Sequence, residues 1–184
     1  MSEIYEPSED TFLLLDAIES IRGKIFRRAL EIGSGSGVIT VALSKVSNEV
    51  VAVDISDKAA RETWRRLKSS PYADISHTIL GDMLSMFREG YIFDLIICNP
   101  PYLPRESLED KIIEGGFDFV KRIISESKSR IMSGSILLLL VSTLTRDLHE
   151  ILLYLKSEGF NPYIKLSRKL FFEEIMVIEA VKNS

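Results

Sequence analysis

Short apolar runs alternate along this chain with longer segments in which apolar residues recur at helical spacing. Runs of the first kind predict strands, and segments of the second kind predict amphipathic helices. The predicted strands are 29–32, 49–55, 75–80, 93–98, 135–141, 162–167 and 172–181. The predicted helices are 10–21, 38–45, 58–67, 117–132 and 147–156.

The order of these elements predicts an α/β fold. Strand–helix alternation is typical of a parallel sheet with helices on both faces. The runs 95–98 and 136–141 are apolar throughout, as expected of strands that are covered on both sides. The last two strands are joined by a short turn at Lys169–Leu170, which predicts an antiparallel hairpin at one edge of the sheet. We expect one domain over residues 1–184, with its ligands at the carboxyl ends of the parallel strands.

A glycine-rich loop follows the first predicted strand and opens a helix. Its sequence is Glu31-Ile-Gly33-Ser-Gly35-Ser-Gly37. Glycine lets the backbone approach a ligand closely, and a helix N-terminus offers unpaired N–H groups. Val38 stands where the dinucleotide-binding fingerprint has its third glycine, and the carboxylate of Glu31 suits an ammonium group better than a pyrophosphate. The loop therefore predicts a ligand site, with a plain strand-to-helix turn as the alternative.

Two further acidic residues end the second and third predicted strands. Asp54 is placed to accept hydrogen bonds from ribose hydroxyls. Its alternative role is to cap a helix, for which Asp57 is better placed. Asp82 follows Gly81 after the third strand, where a turn residue is the alternative. Together with Glu31, these residues place three acids at the carboxyl ends of three successive strands, which turns alone do not explain.

The segment Asn99-Pro100-Pro101-Tyr102 follows the fourth predicted strand directly. Two consecutive prolines hold the backbone extended and remove two N–H donors, so that rigid carbonyl acceptors remain. With the side-chain carbonyl of Asn99, they can accept both hydrogens of a planar –NH2 group. The ring of Tyr102 offers a face on which a flat amide or base can stack. This arrangement predicts that the nitrogen is positioned to attack a methyl group, without a covalent intermediate.

Charge and composition narrow the classes of partner. The formal net charge is -4 and the isoelectric point is about 5.3, which disfavours nucleic-acid binding by this chain alone. Cys98 is the single cysteine, so an internal disulfide and a multi-cysteine zinc site are excluded. We expect Cys98 to be a small core residue. The run 136–141 is too short to span a bilayer, and we expect a cytoplasmic protein without a membrane segment.

With these motifs the chain resembles the class I amino-methyltransferases. More narrowly, the segment Tyr5-Glu-Pro-Ser-Glu-Asp-Thr-Phe-Leu-Leu-Leu-Asp16 resembles the archaeal and eukaryotic branch of the HemK family, the protein-glutamine methyltransferases of translation release factors. The resemblance implies a Rossmann-like sheet of seven mostly parallel strands. It also implies S-adenosylmethionine as methyl donor, and transfer to the side-chain amide of glutamine in a Gly-Gly-Gln loop.

The same resemblance implies roles for individual residues. Asn99 would hold the substrate amide, together with Pro100, Pro101 and Tyr102. The residues implied to contact the cofactor are Thr11, Glu31, Gly33, Gly35, Gly37, Asp54, Ile55, Asp82, Met83 and Asn99.

The resemblance further implies a heterodimer with a small zinc-containing activator protein. The predicted strand 75–80 contains no Lys, Arg or Pro, so it lacks the features that normally protect an exposed sheet edge. We expect the partner to add a strand there, with a homodimer through the same edge as the alternative.

Two other functions remain compatible with the fold. An adenine-N6 methyltransferase acting on DNA or RNA would use the same Asn99–Tyr102 chemistry on a base flipped into the site. The acidic isoelectric point counts against it. A non-catalytic scaffold is the second alternative, and the intact Asn99–Tyr102 motif counts against that.

Overall fold

The computed structural model describes residues 6–21, 23–90, 93–100, 116–144 and 148–184. The strands are β1 (Ala29–Ile32), β2 (Val50–Asp54), β3 (Ser76–Leu80), β4 (Phe93–Cys98), β5 (Ile131–Ser142), β6 (Phe160–Lys169) and β7 (Glu174–Lys182). The helices are α1 (Glu9–Ser20), α2 (Val38–Leu43), α3 (Asp57–Lys68), α4 (Phe117–Lys128) and α5 (Leu148–Ser157). A single turn of 3-10 helix, Ala73–Ile75, leads into β3.

The strands form one seven-stranded sheet in the order β3-β2-β1-β4-β5-β7-β6. Neighbouring strands from β3 to β5 are parallel, whereas β7 is antiparallel to both β5 and β6. The predicted class I fold, with its C-terminal antiparallel hairpin, is therefore confirmed. No helix in the described part of the chain is long and apolar enough to cross a membrane.

Both faces of the sheet are covered by apolar side chains. Successive residues of one strand enter different core clusters, as the alternation of side chains along a strand requires. In β4, for example, Ile96 and Cys98 belong to the cluster that includes α4 and α5, whereas Leu95 and Ile97 belong to the cluster that includes α1 and α2. This two-sided burial explains why the central strands are continuous apolar runs in the sequence.

The boundary between α4 and β5 differs from the prediction. The helix ends at Lys128 instead of residue 132, and β5 begins at Ile131. The N–H of Arg130 donates to the carbonyl of Ser127, which ends the helix in a turn. Ile131 is buried because it pairs with Phe93 at the start of β4, not because it lies on the apolar side of α4. The prediction therefore assigned Ile131 to the helix by its spacing, although this residue belongs to the strand.

The turn of the C-terminal hairpin also differs from the prediction. It was expected at Lys169–Leu170, but the N–H of Leu170 donates to the carbonyl of Glu173, and Lys169 pairs with Glu174. Phe171 and Phe172, which the pattern placed at or beside the start of the last strand, therefore form the loop. Their side chains are 91% and 85% exposed and contact each other at 4.6 Å between ring centroids. Aromatic residues favour strands in general, and this loop is an exception.

Strand β3 lies at one edge of the sheet, as expected. The N–H of Gly81 donates to the carbonyl of Asp54 in β2. Because backbone groups alternate in direction along a strand, Ile79 also faces β2, whereas Thr78 and Leu80 direct their backbone N–H and C=O groups to the free edge. The side chain of Leu80 is 56% exposed there.

Candidate active site

The carboxyl ends of β1, β2 and β4 meet at one edge of the sheet. Ile32, the last residue of β1, pairs with Val53 of β2 on one side and with Cys98 of β4 on the other. Gly33, Asp54 and Asn99 follow these three residues in the sequence, so they lie next to one another. This is the convergence that the strand order predicts for ligand sites in parallel sheets.

The glycine loop leaves open space beside this edge. Gly33 and Gly35 adopt φ angles of 76° and 50°, in the left-handed region that favours glycine. A Cβ atom added at either position would meet no atom within 4 Å. The N–H of Gly35 donates to Oδ2 of Asp54 at 2.9 Å, which ties the loop to the end of β2. The loop can therefore receive a ligand against its backbone.

Gly37 has a different role from the other two glycines. A Cβ atom at this position would lie 2.9 Å from the Cα of Thr63 in α3. The absence of a side chain lets the start of α2 approach α3, and the hydroxyl of Thr63 donates to the carbonyl of Gly35. Gly37 therefore supports the loop by packing, whereas the open space lies at Gly33 and Gly35.

Glu31 is a buried carboxyl directly below the loop. Burial raises its pKa from 4.5 to about 8, the nearby charge of Asp54 adds to the rise, and hydrogen bonding by Thr40 opposes it. The hydroxyl of Thr40 donates to Oε2 of Glu31. A buried acid of this kind is stabilised in its charged form by a cation placed beside it.

Cys98 lies in the same region and is buried. Burial, together with the charges of Glu31 and Asp54, raises the pKa of its thiol well above the ordinary value. Because the thiolate is the nucleophilic form, this cysteine is inert, in agreement with its predicted place in the core.

Asp54 accepts two backbone hydrogen bonds at the end of β2. Its Oδ1 accepts from the N–H of Ser56, and its Oδ2 accepts from the N–H of Gly35, each at 2.9 Å. Ser56 is the N-cap of α3 and accepts from the N–H of Ala59, so the expectation that Asp57 is the better cap was wrong. Ile55, between Asp54 and the cap, keeps 51% of its surface exposed.

Asp82 is paired with α4. Its two carboxylate oxygens accept from Nη1 and Nη2 of Arg122 at 3.0 and 2.7 Å. Arg122 also pairs with Glu126, whose other oxygen accepts from the N–H of Leu84. Met83 is buried and has a φ of 47°. Asp82 was singled out in the sequence because it follows the third strand. Arg122 was not, because no motif near Arg122 in the chain indicates that it pairs with Asp82.

Asn99 links the end of β4 to α1. Its Nδ2 donates to Oδ2 of Asp10 at 2.8 Å. Its Oδ1 is shielded from solvent and has no hydrogen-bond partner among the described residues. Pro100 is buried beside it, whereas Pro101 and Tyr102 lie outside the described residues. An unpartnered buried acceptor is costly, and a ligand –NH2 group would satisfy it.

Thr11 and Asp10 join this site from the first turn of α1. Asp10 is only 1% exposed, and its Oδ1 accepts from the N–H and the hydroxyl of Thr11 at 2.6 and 3.3 Å. Sequence reasoning named Thr11 but missed Asp10. The signal was present, because Asp10 precedes the buried residues Leu13, Leu14 and Ala17 by three, four and seven positions. An acidic residue on the same helix face as a run of apolar residues becomes buried, and its carboxylate then needs a hydrogen-bond donor.

Comparison with known proteins identifies the family. The methyltransferase small domain matches residues 8–156. The chain is 33% identical to a putative protein N5-glutamine methyltransferase of Methanocaldococcus jannaschii, over 97% of this chain and 91% of that protein. It is 31% identical to the methyltransferase HEMK2 of Homo sapiens, over 99% of this chain and 91% of that protein. The chain belongs to the HemK family of protein-glutamine methyltransferases.

A solved structure also supports the assignment of this enzyme to the HemK family. A chain of the Mtq2–Trm112 complex of E. cuniculi superposes with a TM-score of 0.76 and 28% identity, covering 97% of this chain and 98% of that one. That complex is responsible for the methylation of the eRF1 translation termination factor.

The methyl donor of this HemK-family enzyme is S-adenosylmethionine. The residues present fit such a group. The loop is open at Gly33 and Gly35, and the carboxyl of Glu31 is buried without a charged partner among the described residues. The cofactor carries an ammonium group that would supply this charge.

Proposed function

We propose that the enzyme transfers the methyl group of S-adenosylmethionine to the side-chain amide nitrogen of a glutamine in a translation release factor, within a Gly-Gly-Gln loop. The observation that carries this proposal is Oδ1 of Asn99 at the carboxyl end of β4, a buried acceptor that has no hydrogen-bond partner among the described residues. A primary amide offers the planar –NH2 group that such an acceptor requires.

Asn99 acts on the substrate by positioning it. Its Oδ1 accepts one hydrogen of the glutamine –NH2 group, and a backbone carbonyl of the Asn99–Tyr102 segment accepts the other. The cofactor supplies an electrophilic methyl carbon bound to a positively charged sulfur. The chain's own part would be to hold the glutamine nitrogen toward that carbon, through Oδ1 of Asn99 and the backbone carbonyl. Holding the nitrogen close and oriented supplies much of the rate enhancement.

The cofactor-binding residues follow from the chemistry of each group. The carboxylate of Glu31 would bind the cofactor's ammonium, and Asp54 would accept hydrogen bonds from the ribose hydroxyls. The backbone at Gly33 and Gly35 would contact the methionine portion of the cofactor. Apolar contact with the adenine ring would come from Ile55, which is half exposed beside Asp54. Met83, Asp82 and Thr11 would complete the site at the ends of β3 and α1.

A protein substrate is favoured over a nucleic acid by the loop between β6 and β7. Ile175 of β7 pairs with Ser142 at the carboxyl end of β5, so the loop lies at the catalytic edge of the sheet. It presents two highly exposed aromatic rings, those of Phe171 and Phe172. Exposed apolar pairs are typical of surfaces that bind proteins. The net charge of -4 opposes contact with phosphates.

We further propose that a small zinc-containing activator protein binds at the edge strand β3, by adding a strand of its own. Support comes from the E. cuniculi relative, which forms a complex with Trm112. The backbone groups of Thr78 and Leu80 face the free edge and are available to a partner strand. The exposed side chain of Leu80 would be covered in the same contact. Because the proposed substrate is a translation factor, we also propose that the enzyme is cytoplasmic.

The test of the proposed activity is mass spectrometry of a release factor incubated with the enzyme and isotopically labelled cofactor, with and without the activator protein. We expect one added methyl group on the glutamine of the Gly-Gly-Gln loop. The matched control is a release factor in which that glutamine is replaced by alanine. Adenine-containing DNA and RNA are assayed in parallel, and label in N6-methyladenine with none in the release factor would replace the proposed function by the adenine-N6 alternative.

A further inference from the structure

The side chain of Asn99 has two orientations of nearly equal shape. Rotation of its terminal amide by half a turn exchanges Oδ1 and Nδ2, and only one orientation presents an acceptor to a substrate –NH2 group. The other orientation would present a second donor, which repels it. Some contact must therefore select the productive orientation of Asn99.

Asp10 makes that contact. Its Oδ2 lies 2.8 Å from Nδ2 of Asn99. An ionised carboxylate has acceptors only, so it favours the –NH2 side of Asn99 and disfavours Oδ1. The hydrogen bond also carries a charge, which makes it stronger than one between neutral groups. Selecting one side of the amide leaves Oδ1 of Asn99 as the free acceptor.

Asp10 is itself held in place. Its Oδ1 accepts from the N–H of Thr11 at 2.6 Å and from the hydroxyl of Ser8 at 2.9 Å. It occupies the first turn of α1, where the helix dipole favours a negative charge. With an exposure of only 1%, the side chain cannot turn away to solvent. The contact with Asn99 is therefore made by a rigid group.

We propose that Asp10 is a positioning residue for methyl transfer, which acts by fixing the orientation of the Asn99 amide. Asp10 does not contact the reacting atoms. Its effect reaches the substrate through Oδ1 of Asn99. This inference rests on the proposed function, because it assumes that the substrate offers a planar –NH2 group.

The decisive substitution is Asp10→Asn, which keeps the size and shape of the side chain. The new amide can keep its oxygen on the N–H of Thr11, and its –NH2 group then faces Asn99. That arrangement favours the opposite orientation of Asn99, in which Oδ1 faces residue 10. We expect kcat to fall roughly 10²-fold, as for the loss of one preorganised polar group. Cofactor affinity and the melting temperature should stay near wild type.

A double-mutant cycle separates this role from a structural one. If Asp10 acts only through Asn99, Asp10→Asn should have no further effect on kcat when Asn99 is already alanine. An equal loss in both backgrounds would overturn the proposal, as would a kcat within about threefold of wild type for Asp10→Asn alone. Glu19→Gln, at an exposed site on the same helix, is the matched control and should leave kcat unchanged.

A second measurement needs no substrate. The side-chain –NH2 resonances of Asn99 are assigned in 15N spectra of the enzyme alone, by their absence from the Asn99→Ala variant. In the wild type, the resonance of the Asn99 –NH2 proton that is hydrogen-bonded to Asp10 should be shifted downfield, and this proton should be protected from exchange with solvent. In Asp10→Asn this signature should disappear, and an unchanged pair of resonances would overturn the proposal. If the wild type methylates no release factor, the proposed function fails, and these spectra still decide whether Asp10 orients Asn99.

Discussion

The hydroxyl of Thr40 donates to the carboxyl of Glu31 inside the first strand–helix unit, where both residues are buried. Burial nevertheless raises the pKa of Glu31 from 4.5 to about 8. The folded chain therefore binds more protons than the unfolded chain between these two values. By linkage, this carboxyl stabilises the fold fully below pH 4.5, and the contribution is lost as the pH rises to about 8.

Glu31→Gln should remove this dependence on pH. As the pH rises from 5 to 9, the free energy of unfolding of the variant should increase by a few kcal/mol relative to that of the wild type, because the amide of the variant does not ionise. Urea denaturation of both proteins without cofactor, at a series of pH values, measures the difference. Parallel stability curves for the two proteins would show that Glu31 titrates in its ordinary range.

Asp54→Ala should weaken the binding of S-adenosylmethionine by about 1.5–3 kcal/mol, the range for a lost hydrogen bond to a charged group. Calorimetric titration measures the affinity. Because Asp54 also accepts from the N–H groups of Gly35 and Ser56, the melting temperature of the variant is measured as well. Asp57→Ala is the control, since Asp57 is exposed and pairs with Arg61. Equal affinities for Asp54→Ala and wild type would remove Asp54 from the site.

Asn99→Ala should reduce the rate of methyl transfer by roughly 10²-fold or more, because it removes the acceptor that holds the substrate nitrogen. Cofactor affinity should change much less, which separates this effect from that of Asp54. Single-turnover rates on a release factor, with cofactor at saturation, provide the measurement. A variant that retains most of the wild-type rate would contradict the role of Asn99 in holding the amide.

Thr78→Pro should abolish binding of the activator protein while the fold is retained. The substitution removes a backbone donor that faces the free edge of the sheet, so the pairing of β3 with β2 is spared. Thr78→Val keeps this donor and should bind the partner normally. Ile79→Pro removes a donor that faces β2 and should destabilise the sheet itself. Co-purification and circular dichroism of the three variants test these expectations, and an unaffected complex of Thr78→Pro would place the interface elsewhere.

Local patterns were sufficient to predict the strands that are buried on both faces. The bounds of β1 and β4 agree with the prediction because each apolar run is followed directly by Gly33 or by Asn99-Pro100. The start of β5 could not be predicted in the same way. Ile131 fits the helical period of α4, and only its pairing with Phe93 on another strand decides its place.

Sequence position alone indicated Glu31 and Asp54 near the ends of β1 and β2 and Asn99 directly after β4, and the structure brings these residues to one edge of the sheet. The partners of such residues were harder to find. Asp10 and Asn99 are 89 positions apart, and Asp82 and Arg122 are 40 apart. No local pattern links residues so far apart, because only the packing of α1 and α4 against the sheet brings them together. Asp10 could have been noticed only as an acid on the apolar side of a helix.

The helix that carries Asp10 is attached to the last strands of the chain. Arg168 of β6 pairs with Asp16 of α1 at 3.0 Å and with Glu9 at the start of the same helix. A ribosome therefore delivers α1 first and part of its docking surface last, since α1 packs against α2 and the central strands as well. The final packing of α1 therefore waits until the C-terminal hairpin has emerged from the ribosome. A nascent chain, or one truncated before β6, would contain every residue of the glycine loop and of Asn99-Pro100 and still lack the two ion pairs by which Arg168 holds the helix of Asp10.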